Sequence, residues 1–459
     1  MTKASSQIDT HRPRITGRHN GITQAMLPNG MTLLLKEMRV APVISFWVWY
    51  RVGSRNEHLG ITGISHWVEH MLFKGTRAYS ESELDRLISR EGGVRNGMTW
   101  MDGTTYYETM PSDKIDLALR IEADRMTHAL IDPAEVESER AVIINERQGS
   151  ENSPSFRLVE AVQAAAFRAH PYGHEVIGHV SDLQHITREQ LMAHYRTYYA
   201  PNNAIATVAG DFDTADMLKK LGRIFGKLKP APPAPEVRAV EPSQRGEHRL
   251  IVNGEGSTDY LLMAFHAPPP TRRDGKRRAN APILPHEDFF PLVALDSVLS
   301  GASGLSMGGG TSNRSSRLSK ALVDGRLAAD ASGGVTPSID PHLYSFFATP
   351  LPGRRVDELE AALWVEFDKV KQDSVTQAEL DKAIKQSRAQ FAFGCESVTS
   401  QASAIGFCEI FADYTWFDSY LENLRAVTRE EVQRVATKYL VRDNVTVGHY
   451  RAQDGQISQ

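Results

Sequence analysis

"ITREQLMAHYRTYYAPNNAIATVAG" (186–210) and "VTREEVQRVATKYLVRDNVTVGHY" (427–450) together decide the fold. Each opens with Thr-Arg-Glu, a helix N-cap followed by an acidic first turn. Each continues as a helix ending in aromatic residues, then passes through an Asn into an alternating run of strand type. Asn203 and Asn444 are the matching positions, 241 residues apart. Two echoes at one offset indicate a duplicated domain.

Between the copies lies "KLKPAPPAPEVRAVEPSQ" (227–244), whose five prolines favour an extended, semi-rigid connector. The expected organisation is therefore an N-terminal domain over 1–226, a linker over 227–244 and a homologous C-terminal domain over 245–459. In the first half, "GMTLLLKEM" and "APVISFWVWYRVG" read as strands, and "ITGISHWVEHMLF" and "SESELDRLISREGG" as helices. "MTWMDGTTYYETMP" returns to strand and "KIDLALRIEADRMTHAL" to helix. "DPAEVESERAVIINERQGS" is a further helix, with Asp132 as cap and Pro133 as first helical residue. Links as short as "MDGTT" suit antiparallel pairing, so the fold class is α+β, with a mainly antiparallel sheet and helices in each domain.

Composition narrows the function. A length of 459 residues suits two or three domains, and 41% hydrophobic with 24% charged residues is ordinary for a soluble globular protein. A net charge of −4 gives no electrostatic reason to expect nucleic acid as partner. No apolar run approaches the roughly 20 residues that span a bilayer. The first twenty residues lack the apolar core of a signal peptide. A soluble, cytoplasmic protein is expected, or a periplasmic bacterial one if a signal has been removed. Two cysteines, Cys395 and Cys408, are too few for a disulfide framework or a Cys-type zinc site. Any metal must be held by histidine and carboxylate.

Such a site is written into "GITGISHWVEHMLFKGT" (60–76). On a helix, with about 100° per residue, His66 and His70 lie one turn apart and Glu69 projects from the same strip. Two imidazoles can then share one zinc while the carboxylate reaches a water beside it. With 16 histidines in the chain, such a match arises by chance in roughly one similar chain in thirty, so a third ligand has to be sought. "VESERAVIINERQ" (136–148) offers Glu139 and Glu146, seven apart and thus on one helix face.

At this point the chain resembles the pitrilysin/insulinase family of zinc metallopeptidases, the inverzincins. H-x-x-E-H followed by "ERxVIxxE" is similar to that family's metal motif. "VGSRNE" (52–57), "HMLFKGT" (70–76), "GGVRNGMTWMDGTTYY" (92–107), "HPYGHEVIG" (170–178) and "GGGTSNRSSRLSKALVDGRLA" (308–328) extend the likeness over nearly the whole chain. Gly97 stands where the family has Ala. The short length resembles the mitochondrial processing peptidase β subunit and the zinc-bearing subunit of bacterial two-subunit peptidases. The resemblance implies one Zn2+ per chain on His66, His70 and Glu146, with Glu69 as general base and Glu139 as a supporting catalytic carboxylate. It implies that Asn96 and Thr99 lie on a substrate-binding edge strand, and that two such domains form half of a clamshell. The activity implied is endopeptidase cleavage of short or unfolded peptides.

The chain departs from the family in its second half. An Arg and, seven residues later, a Tyr are expected there to face the substrate carbonyl. Val323 takes the Arg position, and Ala329 or Asp330 stands at that of Tyr; Arg326 is nearby. The resemblance therefore implies a heterodimer with a homologous chain that lacks H-x-x-E-H and carries the Arg/Tyr pair; a homodimer is the alternative assembly. A non-catalytic subunit of a processing-peptidase-like complex is the competing function. The five Lys/Arg of 272–278 read as a solvated loop, and the Gly-rich 301–313 as a loop without Walker spacing. His170, His174, His179 and His185 read as a structural segment.

Overall fold

The structure, a computed structural model, describes residues 11–272, 283–302 and 314–453. The basic loop from 273 to 282 and the glycines of 303–313 lie outside the described residues. The chain forms two compact units. One comprises Met1–Ile143, Val176–Val237 and Ser397–Ile410; the other comprises Ile144–Glu175, Arg238–Glu396 and Phe411–Gln459.

The first unit is built on seven strands: β1 (Arg14–His19), β2 (Ile22–Met26), β3 (Thr32–Glu37), β4 (Val43–Tyr50), β5 (Val94–Thr99), β6 (Thr104–Pro111) and β7 (Ala204–Gly210). Their order is β1-β2-β3-β7-β4-β6-β5, and only β3 with β7 runs parallel. Apart from Ser45, β4 is a run of aromatic and β-branched residues because both faces of the sheet are covered. On one face Phe46 meets Phe225 and Tyr50 meets Tyr199. On the other, Trp47 and Trp49 stack, and helix Val398–Phe411 brings Gly406 against the indole of Trp49. A Cβ at Gly406 would stand 2.1 Å from Trp49 Nε1, so only glycine allows that approach.

The second unit holds β8 (His248–Glu255), β9 (Tyr260–Ala267), β10 (Ala328–Val335), β11 (His342–Pro350) and β12 (Val445–Gln453), in the order β10-β11-β9-β12-β8. Only β12 with β8 is parallel. Helix Pro154–Ala166 lies on this sheet, its last carbonyls accepting from His248 Nδ1 and His266 Nε2. Phe265, Phe346, Trp364 and Phe367 form an aromatic cluster within the unit.

The duplication read from the sequence has a structural counterpart. Thr187 with Gln190, and Thr428 with Glu431, form matching capping boxes. Asn203 Nδ2 donates to Tyr198 O at 2.9 Å, and Asn444 Nδ2 donates to Tyr439 O at 2.9 Å. Each Asn thus ties the end of its helix to the strand that follows. Compactness, however, divides the chain differently from the halves 1–226 and 245–459. Helix Pro154–Ala166 belongs to the second unit, where it packs on β8, β9 and β12, and helix Val398–Phe411 runs along the first, where Gln401 bonds Lys36, Thr399 bonds Thr109 and Gly406 meets Trp49. The segment 227–244 carries no helix or strand and is pinned by side chains. Asn202 bonds Ala231 twice, and Glu241 accepts from the backbone of Arg168, Ala169 and His170. Among the described residues, no helix is long and apolar enough to cross a membrane.

Candidate metal centre

His66, Glu69 and His70 sit on helix Ile64–Met71, the motif helix. Its Ile64, Trp67, Val68 and Met71 are buried, which fixes which side faces the core and which presents the histidines. The N-terminus is held by a carboxylate: Glu57 accepts from the backbone N–H of Gly63 and of Ser65, both at 2.8 Å. That anion meets the positive end of the helix dipole as well as its orphan donors. The preceding loop is held by Asp182, which accepts from Gly60 N, Thr62 N and the Thr62 hydroxyl. Burial would raise the Asp182 carboxyl, but the bonds from Thr62 outweigh it and keep the group below its ordinary range.

The segment "HPYGHEVIGH" completes that loop from outside. Gly178 has φ +81°, and a Cβ there would stand 2.3 Å from Thr62 O. His179 N donates to Thr62 Oγ1. His170 pairs with Asp340 at 3.1 Å, and His185 Nδ1 bonds Ser181 O. Among the described residues these histidines form no metal-holding group.

Helix Pro133–Glu151 presents Glu139 and Glu146 two turns apart. His66, His70 and Glu146 each offer one ligand atom, and the three atoms lie within 4.8 Å of one another. The imidazole rings are 4.6 Å apart at 70°. Burial, with a smaller push from His70, lowers the His66 pKa to about 3, so its ring is neutral and keeps a lone pair for a metal. Two imidazoles and one carboxylate match the donor chemistry of zinc in hydrolytic sites, so the residues fit that ion.

Glu139, 5% exposed, stands beside that trio. One of its oxygens lies 3.0 Å from His70 Nδ1 and the other 2.8 Å from Lys74 Nζ. Burial works to raise the Glu139 carboxyl, but the bonds from Lys74 and His70 prevail and hold it down. An ionised Glu139 accepts the Nδ1 proton of His70, which leaves Nε2 as the ring's electron-pair donor. Sequence reasoning gives Lys74 no role; its four-residue spacing from His70 is the one local signal of the contact.

Glu69 is 8% exposed and accepts a 2.6 Å hydrogen bond from the Thr99 hydroxyl. Thr99 ends β5, an edge strand of the sheet. Alternation puts Arg95, Gly97 and Thr99 on one face and Asn96 and Met98 on the other. A Cβ at Gly97 would stand 2.9 Å from the Phe73 ring, so the glycine lets the strand lie close to the segment after the motif helix. Asn96 is exposed, and its Oδ1 accepts from Gly97 N. In the second unit, Val323 lies in the helical turn Ser319–Asp324 and Arg326 is exposed with φ +55°. Ala329 and Asp330 lie in edge strand β10.

The chain is similar to known proteins over most of its length. A family model described as "Insulinase (Peptidase family M16)" matches residues 32–180, and one described as "Peptidase M16 inactive domain" matches 185–387. The zinc protease PqqE of Helicobacter pylori is 28% identical over 437 residues, covering 94% of this chain and 92% of that protein. The mitochondrial-processing peptidase subunit beta of Blastocladiella emersonii is 24% identical, over 90% of this chain and 85% of its own. The crystal structure of a protease from Helicobacter pylori superposes with a TM-score of 0.85 at 27% identity, over 96% of this chain and all of that one. The periplasmic protease PqqL from Escherichia coli shares the fold at a TM-score of 0.75 and 16% identity, over 96% of this chain but 48% of that one. The two models together match residues 32–387 apart from 181–184, well over half of the chain, and the chain belongs to the insulinase, or M16, family of peptidases.

Proposed function

We propose that the chain is the zinc-bearing subunit of an endopeptidase that hydrolyses short or unfolded peptides. The observation that carries this reading is the convergence of His66, His70 and Glu146 beside Glu69. When bound, zinc would supply Lewis acidity toward the scissile carbonyl and toward water. Glu69 takes the proton of the attacking water and delivers it to the leaving amine. Glu139 and Lys74 hold His70 in the tautomer that faces the metal. The backbone of β5 at Asn96 and Thr99 pairs with an extended substrate, since an open edge reads any peptide main chain.

The partner is a homologous chain that brings the Arg replaced here by Val323 and the Tyr replaced by Ala329 or Asp330. The likeness to about half of a longer protease chain suits such a two-chain arrangement. The non-catalytic reading draws on the inactive-domain model matched at 185–387, but that match leaves the motif helix untouched. Glu69→Gln decides between them. It should retain about one zinc per chain and lose about 10²–10⁴ in kcat. Unchanged turnover of a peptide of about twenty residues would refute the role of Glu69, and loss of zinc would make Glu69 a ligand.

A further inference from the structure

We propose that Thr99 is a positioning residue whose hydroxyl pins the Glu69 carboxylate in its working rotamer. The inference rests on the reading of Glu69 as the proton carrier.

A glutamate side chain has three rotatable bonds, and holding it in one orientation costs rotamer entropy. A carboxylate that must accept a proton at one point in space needs something to hold it there. The Thr99 hydroxyl does so with a 2.6 Å bond to Glu69 Oε2, the short distance of a charge-assisted contact. The donor is itself held. Thr99 is paired with Thr104 across the ladder, and the Thr104 hydroxyl donates to Val52 O at 2.9 Å. The two threonine hydroxyl oxygens are 3.4 Å apart. Thr99 is also β-branched, which stiffens its χ1 beyond what serine offers.

Strand alternation gives the same answer. Thr99 shares its face with Gly97, which lies against Phe73 just beyond the motif helix, whereas Asn96 is on the opposite face. A hydroxyl has one proton to donate, and that of Thr99 goes to Glu69. The side chain is therefore not a donor to substrate carbonyls. The strand divides its labour: backbone for the peptide, one hydroxyl for the base.

The test compares Thr99→Val, which keeps the shape and removes the hydroxyl, with Thr99→Ser, which keeps the hydroxyl. Both are made in the full chain and again in the Glu69→Gln background. The first readout is the visible spectrum of the Co2+-loaded protein. Thr99→Val should alter it because Glu69 is released beside the metal, Thr99→Ser should not, and in the Glu69→Gln background Thr99→Val should change nothing further. The second is the affinity of the Glu69→Gln protein for a labelled, unstructured peptide of about twenty residues, which should stay within about twofold when Thr99→Val is added. In the active background kcat should fall about 10–100-fold for Thr99→Val at nearly constant KM, and recover with Thr99→Ser. A wild-type cobalt spectrum in Thr99→Val overturns the proposal, as does weakened peptide affinity that makes Thr99 a substrate contact. Wild-type turnover by Glu69→Gln would instead sink the function assigned to Glu69, whatever the cobalt spectra show.

Discussion

His70 Nδ1 lies 3.0 Å from Glu139 Oε2, and the same carboxylate is held by Lys74 four residues beyond the histidine. Glu139→Gln keeps the shape but removes the charge that fixes the His70 tautomer. Zinc affinity should fall about 10–100-fold, read by competition with a chelating dye. Lys74→Met should cause a smaller loss in the same direction. Unaltered affinity in both would mean that the pair does not tune the His70 ring.

Gly178 meets the loop before the motif helix backbone to backbone, so Gly178→Ala must both strain φ and push Thr62 away. A loss of about 2 kcal/mol or more in unfolding free energy is expected, with weaker zinc binding. Gly149→Ala is the control: nothing lies within 4 Å of its Cβ position and it is helical, so a gain of about 0.5–1 kcal/mol is expected. Denaturant midpoints moving together in the two variants would contradict the packing argument.

The second unit carries a titration of its own. Asp296 is fully buried, and burial pushes its carboxyl up to about 7 although the Ser300 and Tyr344 hydroxyls pull it down. The folded state then holds a proton that the unfolded chain releases near pH 4, so stability should fall as pH rises from about 4 to about 7. The change in that window is on the order of 2–4 kcal/mol. Asp296→Asn should flatten it and leave the variant relatively more stable at pH 8 than at pH 5, measured by urea unfolding at both. An unchanged pH slope would rule Asp296 out as its source.

The proposed partner requirement predicts a purified chain that binds zinc yet cleaves slowly at any concentration, because identical copies bring the same Val323, Ala329 and Asp330. Each missing oxyanion donor costs about 10²–10³ in rate. Adding a homologue that carries the Arg/Tyr pair should restore turnover, and mutating that Arg should remove the gain. Full activity in the isolated chain would transfer the role to another group, with exposed Arg326 the first to mutate.

Much of this molecule is legible in the sequence because its signals are local. Capping boxes at Thr187 and Thr428 span three residues, and the helical phase of His66, Glu69 and His70 spans four. Glu139 and Glu146 were readable as one helix face for the same reason. What sequence reading misses are side chains that reach across irregular segments, short or long. Glu57 reaching Gly63 and Ser65, Asp182 reaching Thr62 across 120 residues, and Thr99 reaching Glu69 have no periodicity to announce them. The helices Pro154–Ala166 and Val398–Phe411 are plain in the sequence as helices, but nothing local says which sheet each will cover.

Those two helices begin 244 residues apart, close to the 241 that separates Asn203 from Asn444, so they occupy matching places in the repeat. One serves the sheet of the other half in each direction. That is the arrangement of a swapped dimer, in which identical subunits trade one element, here sealed into a single polypeptide. Severing the chain at the proline-rich segment would leave two fragments, each missing a lid for its own sheet and carrying the lid of its sibling. Mixed together, they should recover the fold by complementation, while neither should refold in isolation. The gene's seam and the molecule's seam therefore fall in different places.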